Sequence, residues 1–219
     1  YRGFSPVGPG QDPEVEPESA TNYEAGARWF HDRYHVEVIG FLNDYSNLTA
    51  RCTQSQGCGT AQLNQQFNGG AVRIHGLELM TKLKQELGAG VTAELSGNLT
   101  WTRTAFQTEF NSSFGPFGQV EVGDELPYVP GLQGSLSMSV FRAPFGISWQ
   151  SKGRSDQRDS AGQGEIIDRE RIDGHLIHDL SLRYDVTKRF RLYGTAYNLT
   201  DRVYISSLRP YGPRPGAPR

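Results

Sequence analysis

Residues 91–101 read Val91-Thr92-Ala93-Glu94-Leu95-Ser96-Gly97-Asn98-Leu99-Thr100-Trp101. The odd positions hold Val91, Ala93, Leu95, Gly97, Leu99 and Trp101, while the even positions hold only Thr, Glu, Ser and Asn. Side chains alternate across a β-strand with a period of two, so this stretch has one apolar face and one polar face. The pattern recurs downstream. Leu132, Gly134, Leu136, Met138 and Val140 alternate with Gln133, Ser135, Ser137 and Ser139. Phe145, Ile147 and Trp149 oppose Gly146, Ser148 and Gln150, and Leu176, Leu180, Leu182 and Tyr184 oppose His175, Asp179, Ser181 and Arg183. Less regular strands are expected over about 21–31, 34–49, 69–86 and 190–204, which makes about eight. In the second of these, Val36, Val38 and Leu42 compete with Ile39 and Phe41, and the two faces stay unassigned. No amphipathic helix of useful length is visible, so the expected fold class is all-β.

Composition excludes several alternatives. The 219 residues include 22 basic and 24 acidic side chains, a formal charge of −2, so no bulk cationic field exists for nucleic acid. Only 36% of residues are hydrophobic, and no run approaches the roughly 18–20 apolar residues of a membrane helix. A transmembrane barrel escapes that test, because its strands hide the apolar signal in alternation.

The connections sharpen the choice. Short links at 31–33, 87–90, 143–144 and 187–189 alternate with long ones at about 50–68, 107–129 and 153–171, and the chain ends, 1–20 and 205–219, read as further long loops. Tight turns on one rim and long loops on the other describe a bacterial outer-membrane barrel better than a soluble sandwich. Eight strands that begin and end on the long-loop side leave two unpaired edges, so at least one further strand is expected on each side.

Residues 198–204, Asn-Leu-Thr-Asp-Arg-Val-Tyr, resemble the Asn-Leu-Phe-Asp-x-x-Tyr signature near the C-terminus of TonB-dependent outer-membrane receptors, with Thr200 in place of Phe. Asn22-Tyr23-Glu24-Ala25-Gly26-Ala27-Arg28, Gly40-Phe41-Leu42-Asn43-Asp44-Tyr45-Ser46-Asn47, His75-Gly76-Leu77-Glu78-Leu79 and Asp124-Glu125-Leu126-Pro127-Tyr128-Val129-Pro130 resemble the same family in the same order. Arg2-Gly3-Phe4-Ser5-Pro6 and Arg214-Pro215-Gly216-Ala217-Pro218-Arg219 look most like its ferric-citrate branch. The resemblance implies an antiparallel transmembrane β-barrel segment, with residues 1–219 the C-terminal portion of a 22-stranded barrel whose plug domain and last strand lie outside this chain. It further implies a barrel that is monomeric when full length, in the bacterial outer membrane against lipid and lipopolysaccharide. TonB-ExbB-ExbD would be engaged through N-terminal regions, and iron would be carried as a chelate cargo rather than held as a cofactor. The alternatives are a passive channel or adhesin barrel without a plug, and a soluble all-β binding domain.

A ferric chelate is an anion, and Arg presents a planar fork that suits carboxylates. The long loops offer Arg2 and Phe4, then Arg154 and Arg158, then Arg209, Tyr211 and Arg214 as candidate ligand contacts. The plain alternative is that these arginines are solvated or bind lipopolysaccharide phosphates. By resemblance, a ligand-contacting side chain falls near Arg209. Cys52 and Cys58, which flank five residues in a long loop, read as a disulfide rather than a zinc site, which needs two more ligands. His175 and His178 have a helical metal spacing but point to opposite faces of a strand. Glu165, Asp168, Glu170 and Asp173, interleaved with Arg169 and Arg171, read as a solvated loop rather than a calcium site, so no metal ligand is assigned. No nucleophile elbow, phosphate loop or carboxylate pair with a base is evident, and no catalytic residue is assigned.

Overall fold

The computed structural model describes residues 16–51, 66–111, 117–208 and 212–218. Its strands in chain order are β1 (Ser19–His31), β2 (Tyr34–Ser46), β3 (Thr49–Arg51), β4 (Gln66–Asn68), β5 (Val72–Gly88), β6 (Val91–Phe106), β7 (Phe110–Asn111) and β8 (Gln119–Val120). They continue as β9 (Leu132–Arg142), β10 (Phe145–Arg154), β11 (Gln157–Arg158), β12 (Arg171–Ile172), β13 (His175–Asp185), β14 (Arg191–Ala196), β15 (Ile205–Ser207) and β16 (Arg214–Pro215). Eight of them form one antiparallel meander in the order β1-β2-β5-β6-β9-β10-β13-β14. The eight-strand expectation holds, and the fold is all-β.

The other eight strands pair as β3–β4, β7–β8, β11–β12 and β15–β16, one small hairpin on each long connection. The sequence reading left these stretches as loops. Strands of two or three residues are too short to show a period, so nothing in the pattern reveals them. The expected strand 190–204 also stops early, at Ala196, because Asn198 turns the chain out of the sheet.

Register separates two chemically opposite faces. On the outward face, Val38, Leu79, Leu99 and Gly134 lie in one row across four strands. Leu77, Leu136, Met138, Val140, Ile147 and Leu182 share that face, and all are more than a third exposed, Leu182 reaching 54%. An apolar surface this broad, in contact with water, would be a gross liability, whereas it suits lipid. Trp29, Tyr34, Phe145 and Tyr184 stand on this face toward the short-turn rim, with Trp29 edge-on to Tyr34 at 5.2 Å and Phe145 against Tyr184 at 4.9 Å. Tyr23 and Trp101 lie toward its other edge. Aromatic rings at both borders of an apolar band match the girdles of membrane barrels.

The face assignment of β2 is settled by its neighbours. Val36, Val38, Gly40 and Leu42 point outward, and Ile39 and Phe41 point inward. Phe41 is paired with Gly76 of β5, and a methyl group at Gly76 would stand 2.7 Å from the Phe41 ring. Likewise a methyl at Gly26 of β1 would meet Ile39 at 3.1 Å. Two glycines on the inner wall therefore make room for the two inward apolar side chains.

Beyond Trp101 the strands continue into the long-loop end. There Val72, Phe106 and Val120, all on the inner side or in its loops, are fully buried beneath Tyr45, Leu48, Ile74, Phe110, Phe117 and Leu126. Phe106, Phe110 and Phe117 meet edge to face with centroids 5.5–6.0 Å apart, the arrangement favoured by ring quadrupoles.

Candidate ligand-binding mouth

Even-numbered residues of β10 face inward, so its last turn of alternation delivers both Lys152 and Arg154 to the inner wall at the long-loop end. Arg154 is paired with His175 of β13 and Gln133 of β9. Together with Thr100 and Ser135 these residues line an open recess. Lys152 Nζ lies 3.0 Å from Asp179 Oδ2, so its charge is matched. Arg154 has no acidic partner among the described residues. Its Nη2 donates to the carbonyls of Ser206 at 3.1 Å and Ile205 at 3.4 Å, while its Nε and the Nδ1 of His175 make no hydrogen bond.

The β15–β16 hairpin forms the roof of this recess. Tyr204 lies over His175 with ring centroids 4.2 Å apart. Arg214 of β16 is paired with Ser207, and its carbonyl accepts from Ser206 Oγ at 3.0 Å. Arg154 and Arg214 are thereby joined through one short hairpin, a neighbourhood that 60 residues of separation hides in the sequence.

The signature segment anchors the roof. Asn198 is buried and sits at φ +46°, a left-handed conformation that Asn tolerates better than most residues. Its Nδ2 donates to the carbonyls of Arg202 at 3.0 Å and Ala217 at 3.3 Å, and its Oδ1 accepts from the Arg202 amide at 2.9 Å. Its own amide donates to Asp179 Oδ1 at 2.8 Å. One side chain thus closes the turn, ties down the far end of the hairpin and docks both on β13. The chemistry of the motif is structural.

Arg158 sits in different surroundings. It is 5% exposed, with Nε 3.0 Å from Glu125 Oε2 and Nη2 donating to the Gly164 carbonyl. Arg103 approaches the other Glu125 oxygen at 3.6 Å. The Tyr128 hydroxyl is hydrogen-bonded to the Asp159 carboxylate, the Tyr128 amide donates to the Arg158 carbonyl at 2.8 Å, and the Leu126 amide donates to Thr104 Oγ1 at 2.8 Å. The 124–130 segment therefore clamps two long loops to the top of β6. Sequence reasoning treats Arg154 and Arg158 alike, whereas the structure leaves Arg154 in an open recess and engages Arg158 inside the clamp.

Arg2, Phe4, Cys52, Cys58, Arg209 and Tyr211 lie outside the described residues. His175 faces in and His178 faces out, where it stacks on Trp149 at 5.5 Å. Arg171 and Asp168 pair at 3.3 Å around a 3-10 turn, Asp168–Glu170, so this part of the acidic stretch is met by its own arginines. Lys152 and His175 escaped the sequence reading as site residues. The parity of β10 puts Lys152 beside Arg154, but His175 becomes visible only with the β10–β13 register.

Residues 1–199 match the family described as TonB dependent receptor-like, beta-barrel. The chain belongs to this family of receptors. Among solved structures it is similar to the ferric-catecholate import receptor Fiu of E. coli K12 in its closed form, with 18% identity and a TM-score of 0.67 over 94% of this chain and 27% of that one. It is also similar to the copper transporter OprC, at 19% identity and a TM-score of 0.65, over 93% of this chain and 30% of that one. The ferric citrate transporter FecA in its unliganded form aligns at 20% identity with a TM-score of 0.63, over 94% and 30%. At these identities the likeness is one of fold, and the chain spans 27–30% of the length of those relatives. No curated protein matches it by sequence.

Proposed function

We propose that the chain is the C-terminal portion of the barrel of a bacterial outer-membrane receptor that takes up a ferric chelate, ferric citrate or a related siderophore, by TonB-dependent transport. The observation that carries this reading is the recess of Arg154, Lys152 and His175 on the inner wall, roofed by the hairpin bearing Arg214. A cationic, hydrogen-bonding recess at the long-loop end suits an anionic carboxylate complex. In this reading Arg2, Phe4, Arg209 and Tyr211 add contacts from neighbouring loops, Arg158 holds the loop in place, and the Cys52–Cys58 disulfide pins a loop tip. Plug, energy coupling through TonB-ExbB-ExbD and the closing strand belong to regions outside this chain. Fold alone does not choose the cargo, since the relatives include a copper transporter as well as importers of iron complexes.

The test is uptake of iron-55 as ferric citrate by cells whose own iron receptors are deleted and which express the full-length receptor. Saturable uptake that stops when the proton gradient is collapsed supports the proposal. Uptake that is linear in concentration and indifferent to the gradient overturns it in favour of a passive channel.

A further inference from the structure

The inner wall is divided into two chemically distinct halves. On β1, β2 and β5 it carries Glu24, Arg28, Glu37, Lys82, Lys84 and Glu86, many of them in pairs. Arg28 Nε lies 2.7 Å from Glu37 Oε1, and Lys84 Nζ lies 3.4 Å from Glu94 Oε1 of β6. From the upper part of β6 to β14 the character changes. Register places Ser96, Asn98 and Thr100, then Ser135, Ser137 and Ser139, then Ser148 and Gln150, then Ser181 and Thr195, side by side on the inner face. Adjacent hydroxyls bond to one another, Ser139 to Ser148 at 2.8 Å and Ser181 with Thr195 at 3.0 Å. Of the carboxylates that border this strip, Asp179 is met by Lys152 and Glu94, opposite Ser139, is met by Lys84, while Glu78 stands opposite Thr100 at its edge. A shallow recess runs along the strip past Ser137, Ser148, Gln150, Ser181 and Thr195.

Both ends of the strip are cationic. The mouth end carries Arg154. Toward the short-turn end, Arg183 lies over the Phe141 ring at 4.6 Å, and Arg183 and Arg191 share the single carboxylate of Asp185 at 2.6 and 2.5 Å, leaving one positive charge in excess. Apart from Lys152 and Asp179, which neutralise one another, the side chains between these ends are uncharged and most of them are hydroxyls. They leave clearance and offer many weak, interchangeable hydrogen bonds. Passage of a polar solute needs sites that attract it without trapping it, and a row of equivalent hydroxyls and amides between two cationic ends meets that need for an anion.

We infer that the hydroxyl strip on β6, β9, β10, β13 and β14 is the wall along which a hydrated anionic chelate descends after leaving the mouth, while the charged half of the wall takes no part in its passage. This inference rests on the proposed receptor function and adds the route. It is tested in the full-length receptor with iron-55 ferric citrate, comparing surface binding at 0 °C with uptake at 37 °C. The double substitution Ser137→Asp with Ser139→Asp is expected to leave binding and outer-membrane abundance unchanged and to slow uptake ten-fold or more. The neutral pair Ser137→Asn with Ser139→Asn, of nearly equal size, is expected to keep uptake within two-fold. Met80→Asp, on the inner face of β5, is expected to do the same. Wild-type uptake in the Asp pair overturns the route, and so does equal loss in the Asn pair. A wild-type receptor that binds no ferric citrate overturns the receptor function for this anion and the route with it, an outcome distinct from binding with an unaffected Asp pair.

Discussion

Replacing Leu136 by Arg tests the face assignment on which the membrane reading stands. Leu136 points outward from β9, paired with Gly97 and Ser151, and its Cδ1 lies 3.3 Å from where a methyl group on Gly97 would be. It stands four residues from the upper end of β9 and six from the lower. At about 3.3 Å per residue and a tilt of about 40°, it lies roughly 10 Å below one end of the strand and 15 Å above the other, close to mid-bilayer. An Arg there costs about 2–4 kcal/mol, which is about 30-fold to 700-fold in the folding equilibrium. The adjacent Ser137 points inward, so Ser137→Arg is expected to cost less than about 1 kcal/mol, the usual range for a substitution on a wet polar wall. Folding of the full-length receptor into lipid vesicles across a urea series, followed by tryptophan fluorescence, measures both. Equal shifts for the two neighbours would refute the assignment, since a single residue step is the whole difference between lipid and lumen.

Three further outcomes are expected. Gly76→Ala forces a methyl toward the Phe41 ring and the backbone of Trp101 and should destabilise the barrel by about 1–3 kcal/mol, whereas Gly40→Ala, where the new methyl meets Leu77 at an ordinary 3.5 Å, should cost under about 1 kcal/mol in the same urea series. Asn198→Ala removes three hydrogen bonds and should loosen the β15–β16 hairpin by about 2–3 kcal/mol, read as faster proteolytic cutting after Arg202 with the rest of the barrel intact. Arg158→Ala should free the 153–171 connection at a cost of about 2–3 kcal/mol and expose it to protease, while Arg154→Ala should leave cutting of that connection unchanged and weaken binding of ferric citrate. Cutting within 153–171 in Arg154→Ala would show that this arginine holds that connection instead.

The long strands were legible because lipid outside and water inside impose strict alternation on β6, β9, β10 and β13. The faces of β2 were not, since Ile39 and Phe41 are accommodated by Gly76 and Gly26 on neighbouring strands, and a single strand's pattern does not report its neighbours. Arg154 was legible as a cation on a long connection. That His175 stands beside it follows from register, and register is a property of two strands. The burial of Arg158 against Glu125 was not legible, because it is a tertiary fact and an arginine followed by Asp159 in a polar loop looks solvated. Asn198 read as strand because its neighbours have strand composition; its positive φ and its bonds to Arg202 and Ala217 leave no trace in hydropathy.

Along β5 and β6 the apolar side of the sheet changes over near Trp101. Below it the large apolar side chains, Leu79, Leu83, Leu95 and Leu99, are outward; above it Val72, Ile74 and Phe106 are inward. The same continuous strands therefore answer to two solvents. The crown around Phe106 is held by withdrawal from water, an entropic force that weakens on cooling and in dilute urea. The wall below is held by backbone hydrogen bonds that hydrocarbon offers no means to replace. Cold or mild denaturant should thus melt the crown while the wall stays inserted, so that one end of each strand is free to change shape while the rest holds its place.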